Sequence, residues 1–425
     1  MNKTVWILNH YAGNMFIVGG GRHYYMAKYL KDKGFNPVVF CSNYDHFTRK
    51  NCVESDKYWT EKQEPDTQIP YVFIKTREYP NNGIQRVLNM TDFYKGLLKI
   101  AKQYAEDKGP PDVIYASSVH PLTLVAGIKL AKKFGVKCIS EVRDLWPESI
   151  VAYSTKWTRT NPVMRVLYAG EKWIYKKSDY VIMTWAGGYD YIKDQGWQKA
   201  IPEEKVVHIS NGVDLEPYLT NIQKHPYEDA DLSSTGYKNF IYTGSVRKVN
   251  NLGALVEAAR KLKETGNADA RILVYGDGDE LEKLKQDARN LDNIIFKGRV
   301  PKQYVPSILS QGYASLLHNS STELDKYGQS QNKFFEYLAA GRPILMTYSV
   351  GHSVIRKYGC GVELDSQDSE SIARGITSLC NIEESEYQHY CQSAAECAKR
   401  FDYKELCDQL ISVISRVTKS KETKR

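Results

Sequence analysis

Tyr327-Gly-Gln-Ser-Gln-Asn-Lys-Phe-Phe-Glu-Tyr-Leu-Ala-Ala-Gly-Arg-Pro-Ile-Leu345 is the densest signal in the chain. Ser330, Asn332 and Lys333 lead into a short helix, Ala339-Ala340-Gly341 closes it, and Pro343 opens a strand. Glycine just past the last helical turn, with proline beyond it, is a stop signal with a physical basis: one residue tolerates the left-handed cap and the other cannot continue the helix. A helix that stops and passes directly into an apolar strand is one unit of an α/β alternation.

The alternation extends both ways from that unit. Short apolar runs recur at 240–243, 271–275, 294–296, 313–317, 343–346 and 361–364, and an earlier set lies at 5–8, 37–41, 71–74, 113–116, 137–141, 180–184 and 206–209. They are rich in Val and Ile and carry few charges, as parallel strands covered by helices on both faces require. Between the two sets, 216–238 is polar and holds Pro217, Pro226, Asp229, Asp231 and Ser233-Ser234, which reads as a linker. The pattern predicts an α/β protein of two doubly wound Rossmann-like domains, 1–215 and 239–399. The 425 residues exceed what one core serves. A helix within 400–425, apolar at Leu406, Leu410, Ile411, Val413 and Ile414, is expected to complete the first domain, with a basic tail from Arg416 onward.

Composition removes several classes. Hydrophobic residues make up 42% and charged residues 25%, ordinary globular values that exclude a disordered body. The formal charge is +8 and tyrosine is abundant at 31 residues, which would suit nucleic acid, an anionic membrane or a phosphorylated substrate. The basic residues are dispersed without a recognition motif, so no nucleic-acid partner is expected. The eight cysteines are scattered without metal-ligand or disulfide-framework spacing, and a reducing cytoplasm is the expected compartment. No metal site is expected, and no apolar run is long enough to span a bilayer.

In doubly wound sheets ligands bind outside the carboxyl ends of the strands, so the loops there carry the chemistry. Gly19-Gly20-Gly21 precedes a helix and offers backbone N–H groups to an anion, with a flexible connection as the alternative. The interval 9–18 separates these glycines from the first strand, unlike a dinucleotide fingerprint, and this weakens a nicotinamide enzyme. Tyr242-Thr-Gly-Ser245 leads to Arg247-Lys248, a pair of cations suited to a diphosphate leaving group, although such dipeptides are usually solvated surface features. Tyr275-Gly-Asp-Gly278 permits a base or ribose to approach the backbone through Gly276 and Gly278, or is an ordinary tight turn. Lys333 at a helix start can hold phosphate, and Glu336 can accept hydrogen bonds from sugar hydroxyls.

Phe334-Phe-Glu-Tyr-Leu-Ala-Ala-Gly-Arg-Pro-Ile344 resembles the donor-site helix of retaining glycosyltransferases of family four, whose GT-B fold sets two Rossmann-like domains facing across a cleft. The resemblance is closest to the branch containing bacterial fucosamine-type transferases of surface polysaccharide synthesis. It is carried by Ser140-Glu-Val-Arg-Asp-Leu-Trp-Pro-Glu-Ser149, Ser117-Ser-Val-His-Pro121, Asn82-Gly-Ile-Gln-Arg-Val-Leu-Asn89, Ser210-Asn-Gly-Val-Asp214 and Tyr242-Thr-Gly-Ser245. It implies a donor site containing Gly20, Gly21, Gly244, Ser245, Gly276, Gly278, Ser330, Asn332 and Glu336, the last contacting the nucleotide ribose. Arg247, Lys248 and Lys333 are assigned to the diphosphate. Asp144 would orient or deprotonate an acceptor hydroxyl, with His120, Arg143 and Trp146 binding the acceptor; the alternative for Arg143 and Asp144 is a structural ion pair.

The chain departs from the family in three places. Gly328 stands where the first glutamate of the Glu-x7-Glu motif belongs, with Ser330, Asn332 or Lys333 available to substitute. Ser245 and Asn250 stand at the usual basic positions, and His120 replaces a histidine nearer Ser117. The resemblance implies retention of configuration by front-face attack, with no cofactor beyond a nucleotide-sugar co-substrate, which is expected to be UDP-linked, with an N-acetylated sugar among the candidates. The implied acceptor is a saccharide or a polyprenyl-diphosphate-linked saccharide of capsule or O-antigen type. Segments 86–102 and 165–177 mix cations with apolar residues, so peripheral contact with an anionic membrane at the inner face is expected, against the commoner case of a helix packed on the sheet. The rival readings are a nucleotide-sugar epimerase of the same fold and a non-catalytic nucleotide-sugar-binding partner of another transferase.

Overall fold

The computed structural model describes residues 2–81, 83–118, 120–154, 156–266 and 269–419. The chain forms two compact units, the first from residues 1–210 with the segment from Tyr403 onward, the second Asn211–Asp402.

The N-terminal unit is built on one sheet of β1 (Thr4–Leu8), β2 (Asn36–Ser42), β3 (Trp59–Gln63), β4 (Pro70–Ile74), β5 (Val113–Ser117), β6 (Lys137–Val142), β7 (Tyr180–Met183) and β8 (Val206–His208). The order is β3-β4-β2-β1-β5-β6-β7-β8, and every pairing is parallel except β3 with β4. Strand order reverses at β1, which lies between β2 and β5, the crossover arrangement that opens a crevice at the carboxyl edge. β3 was not anticipated. Its Trp-Thr-Glu-Lys-Gln sequence is half-exposed to exposed and carries both charges, as an edge strand does when it avoids pairing with other chains.

Trp6 anchors one face of this sheet, its ring 4.9 Å from Phe40, 5.7 Å from Tyr104 and 5.3 Å from Phe134. The other face is closed by the final helix, Tyr403–Lys419, through buried Leu406, Leu410, Val413 and Ile414 with partly buried Ile411. The apolar positions read from the sequence are thus the ones that pack. Residues 420–425 of the expected basic tail, like Asn82 and Val119 of the quoted motifs, lie outside the described residues.

The C-terminal unit carries β9 (Lys238–Thr243), β10 (Ala270–Tyr275), β11 (Ile294–Gly298), β12 (Ala314–Leu317), β13 (Ile344–Met346) and β14 (Gly361–Glu363), in the order β11-β10-β9-β12-β13-β14 and all parallel. Each strand falls on a run picked out by its apolar residues. Here the reversal lies between β9 and β12.

The segment read as a linker is structured. Leu215–Lys224 is a helix, and the Tyr218 hydroxyl donates to the Glu336 carbonyl at 2.9 Å. Asp229 and Asp231 pair with Lys297, and Asp231 also pairs with Arg271 at 2.9 Å. The polar residues that suggested solvent exposure are held by cations of the second sheet, so the unit boundary lies at Ser210/Asn211 and not across 216–238. Among the described residues no helix is long and apolar enough to cross a membrane.

Candidate active site

At the carboxyl ends of β9, β10 and β11 a cavity of about 540 Å³ is lined by the strand-end loops and by the helix Asn332–Ala339. Its cationic walls are Arg247, Arg299, Lys302 and Lys333, and its carboxylates are Asp277 and Glu336. Four cations against two carboxylates leave an excess of two positive charges, suited to a diphosphate.

Lys333 enters on the first turn of its helix. Its ammonium donates to the Tyr242 hydroxyl at 3.0 Å and lies over the Tyr242 ring at 4.2 Å from the centroid. Burial pushes its pKa down to about 8, with Glu336 opposing the fall. Glu336, one turn on, meets exposed Lys302 at 3.6 Å. Tyr337 on the same helix fixes the end of β9, its hydroxyl accepting from the Thr243 N–H at 2.8 Å.

The glycines have a sharper role than giving a base room to approach. A Cβ on Gly276 would lie 1.8 Å from the Gly244 carbonyl oxygen, and one on Gly278 would lie 2.2 Å from the Val246 carbonyl oxygen. Their first requirement is therefore contact between the loops after β9 and β10, which N–H donation from Gly244 to Tyr275 and from Val246 to Asp277 holds in place. Gly244 itself has φ +149°, and a Cβ there would come 2.9 Å from the Lys333 ammonium.

The expected basic pair is divided. Arg247 lines the cavity with Ser245 and Asn332, whereas exposed Lys248 is not among the lining residues. Arg299 and Lys302 supply charge that the sequence reading missed, although they follow β11 and obey the same strand-end rule. Asn250, at a usually basic position, is buried and braces the loop between the Ser245 hydroxyl at 2.8 Å and the Asn319 amide oxygen at 3.1 Å.

Ser330 is not a lining residue either: its hydroxyl and carbonyl accept from the backbone N–H and side-chain amide of Asn211, at 3.2 and 2.7 Å. Gly328 is buried with φ +98°, a conformation that strains any residue with a Cβ. The missing glutamate thus coincides with a backbone that favours glycine.

In the N-terminal unit, Gly20 and Gly21 lie between the helices Gly13–Val18 and Arg22–Asp32. The negative charge gathered by the second helix's first turn is the protein's own. Arg22 Nε and His23 Nε2 bind the Glu141 carboxylate at 2.8 and 3.0 Å, and Ser117 and Tyr115 hydroxyls also donate to it. Arg22 and His23 hold Glu141 well below the usual carboxylate range against the effect of burial.

His120, Asp144 and Trp146 do converge, together with Ser118 and Glu171, around a small cavity of about 20 Å³. That admits about one water, not a sugar ring. His120 is buried, with Nε2 2.6 Å from His10 Nδ1, and burial with help from Arg86 lowers its pKa to about 3. Glu171 accepts from the Tyr175 and Tyr191 hydroxyls at 2.6 and 2.7 Å, and burial raises it to about 8. Arg143 is fixed by its backbone, which receives Trp185 Nε1 at 2.9 Å. Burial raises the Asp144 carboxyl above its ordinary value and the neighbouring Arg143 guanidinium opposes the rise; among the described residues no three His, Cys, Asp or Glu side chains are placed to hold a metal ion.

Two doubly wound parallel-sheet units, each with a strand-order reversal at its carboxyl edge, define the GT-B class of fold. The sequence model described as Glycosyltransferase Family 4 matches residues 19–217, and that described as Glycosyl transferases group 1 matches 237–381. With both halves matched, the chain belongs to the GT-B glycosyltransferases.

Solved structures share the fold. Sucrose-phosphate synthase from Thermosynechococcus elongatus is similar at TM-score 0.71 and 15% identity, over 99% of this chain and 100% of its own. Anabaena HepE in complex with UDP-glucose is similar at TM-score 0.63 and 14% identity, over 97% and 99%. WaaG, a glycosyltransferase involved in lipopolysaccharide biosynthesis, is similar at TM-score 0.61 and 14% identity, over 97% and 99%. None of the curated proteins matches the chain significantly.

Proposed function

We propose that the protein is a retaining glycosyltransferase that moves a sugar from a UDP-linked donor to a saccharide or polyprenyl-diphosphate-linked acceptor in cell-surface polysaccharide synthesis. The observation that carries this reading is the cationic cavity at the carboxyl ends of β9 to β11, with Lys333 and Glu336 one turn apart on its floor helix. That HepE binds UDP-glucose in its structure supports the choice of nucleotide.

In this reading Arg247, Arg299, Lys302 and Lys333 neutralise the diphosphate as the glycosidic bond breaks, when its charge is greatest. Glu336 accepts from the ribose hydroxyls, Ser245 and Asn332 complete the donor's polar contacts, and Asp144 orients the acceptor hydroxyl. A donor phosphate oxygen takes the acceptor proton on the face the leaving group vacates, which retains configuration and needs no protein nucleophile. No resident cofactor takes part. The enzyme works in the cytoplasm, peripherally at the inner face of the membrane.

A thermal-shift screen of nucleotide sugars, followed by product analysis with and without acceptor, tests the proposal, since a ligand of the native state raises the melting temperature. UDP-sugars should raise it in the wild type and much less in Lys333→Ala. Sugar interconversion without acceptor would replace the proposal with an epimerase.

A further inference from the structure

His318, Asn319 and Ser320 follow β12 and are not among the residues that line the cationic cavity, yet each of them grips the loop that carries Arg247. The His318 Nε2–H donates to the Asn251 carbonyl at 2.9 Å, the Asn319 amide oxygen accepts from the Asn250 side-chain amide at 3.1 Å, and the Ser320 N–H donates to the Val249 carbonyl at 3.1 Å. Three consecutive residues thus hold three consecutive residues in reverse order. Strand order reverses between β9 and β12, so these contacts join the two loops that part there, where a doubly wound sheet opens its ligand crevice.

The partners of His318 fix where its proton sits. A carbonyl only accepts, so Nε2 carries the hydrogen toward Asn251, and Nδ1 accepts from the Thr347 hydroxyl at 2.6 Å. His318 is fully buried, and burial lowers its pKa to about 4 against the pull of the Asn251 carbonyl, so the ring is neutral at neutral pH. One rigid ring therefore spans from the residue after β13 to the loop after β9. Asn251 has φ +52°, a left-handed conformation that few residues other than glycine adopt at low cost, and its carbonyl is the one that His318 holds.

Arg247 hangs from this grip. Its carbonyl accepts from the Asn250 N–H at 2.8 Å, and the Lys248 carbonyl accepts from the Asn251 N–H at 3.1 Å. The single turn Lys248–Asn250 thereby ties the arginine's backbone to the residues that are held. The Ser245 hydroxyl, donating to the Asn250 amide oxygen at 2.8 Å, secures the other end of the loop. Arg247 itself is exposed, so the aim of its guanidinium depends on where its backbone stands. A misplacement of about 1 Å in such a group can cost on the order of a hundredfold in function.

We infer that His318 is a positioning residue of the donor site, which with Asn319 and Ser320 holds the loop 247–251 so that Arg247 meets a nucleoside diphosphate in the cavity. The grip is read from the geometry alone. Its use in binding rests on the function proposed above.

Hydrogen exchange of the full chain without ligand reads the grip, and titration with UDP across a mutant cycle reads its use. His318→Leu keeps the bulk and loses the Nε2–H; the amides of Asn250, Asn251 and Ser320 should then exchange about tenfold faster, the effect of one typical hydrogen bond on a local opening, while those within β9 and β12 keep their rates. His318→Gln, which returns an N–H near the same place, should recover most of the protection. Arg247→Ala should weaken UDP binding about tenfold or more in the wild type, as loss of a charge-assisted hydrogen bond does, and less than about threefold in His318→Leu, where the arginine is no longer aimed. Arg299→Ala, after β11, should cost the same in both backgrounds. Should faster exchange in β9 show that His318→Leu has lost its fold, Asn319→Ala at a half-buried position carries the same cycle. An equal cost of Arg247→Ala in every background would leave His318 a role in folding only and overturns the inference, and so does unchanged exchange at Asn250, Asn251 and Ser320. UDP binding with equal costs spares the proposed function. A wild type that does not bind UDP sinks the proposed function and the use of the grip together, while exchange still reports the grip.

Discussion

The affinity of the protein for UDP should fall with pH in a way that Lys333 sets. Burial holds its ammonium at about 8 in the free protein, and a diphosphate beside it would raise that value. Binding therefore takes up a proton once the free lysine has begun to lose its own. Below pH 7 the group is charged in both states and adds no pH dependence of its own. From the free-state value, the cationic fraction is about nine-tenths at pH 7 and about one-tenth at pH 9, so affinity should drop about tenfold, or about 1.4 kcal/mol, across that interval. Lys333→Met removes the titrating group while keeping most of the stem over Tyr242. It should weaken binding at pH 7 by about tenfold to a hundredfold, the range for losing a charge-assisted hydrogen bond of about 1.5–3 kcal/mol, and it should flatten the pH dependence. Isothermal titration of both proteins with UDP at several pH values is the assay. A slope that survives in Lys333→Met would come from the ligand or from other groups and would refute the assignment. So would a wild-type curve level to pH 9.

Three further outcomes follow from the packing. Gly276→Ala puts a methyl group where the Gly244 carbonyl already lies, so the loops after β9 and β10 must part; we expect a stability loss of about 1–3 kcal/mol in chemical denaturation and loss of UDP binding beyond what unfolding explains. Arg22→Met leaves the buried Glu141 carboxylate without its guanidinium, and denaturation should show a cost of about 3–5 kcal/mol; a cost under about 1 kcal/mol would mean that the network is not an ion pair in solution. Glu171 has a folded pKa raised to about 8, so the folded state holds a proton that the unfolded state gives up near pH 4.5. Stability should therefore fall as pH rises from about 4.5 to 8, and Glu171→Gln should remove that slope and be the more stable protein at pH 8.

What could be read in advance divides along physical lines. Buried parallel strands must be apolar on both faces, so thirteen of the fourteen strands among the described residues announced themselves by short apolar runs. The exception, β3, buries little and is polar, which made it look like a loop. The 216–238 segment misled for the opposite reason: Asp229 and Asp231 are polar because they neutralise Lys297 and Arg271, cations from strands 40 or more residues downstream. No local pattern distinguishes an aspartate facing water from one facing a distant lysine. At the site, Arg247 and the glycines after β9 and β10, read from strand ends, line one cavity with Asn332, Lys333 and Glu336, read from a helix start. Arg299 and Lys302 were equally legible by that rule. Ser330 and Lys248 were not separable by sequence, because which side chain faces a cavity depends on how a loop turns.

Gly328 links the backbone to the chemistry. In the family pattern a glutamate here would reach the donor sugar, yet the position is buried at φ +98°, between the turn at Asp325–Tyr327 and the helix Asn332–Ala339. A glutamate in that conformation would carry strain of about 1–3 kcal/mol, and its carboxylate would work against the diphosphate binding proposed for the cavity. Without it the cavity keeps its excess of cations, and the polar group nearest the helix start is Asn332, an amide that can both donate and accept. A carboxylate selects sugar hydroxyls because it can only accept. An amide also accommodates a carbonyl or N-acetyl group. Gly328→Glu should therefore not restore a family-like donor preference, since the loop must first leave its left-handed conformation. Asn332→Asp, which changes the donor-facing charge without moving the backbone, should weaken binding of every UDP-sugar while shifting preference toward those with free hydroxyls over N-acetylated ones. Thermal-shift ranking of hexose against N-acetylhexosamine donors measures this, and an unchanged ranking would show that the sugar is chosen by residues other than Asn332.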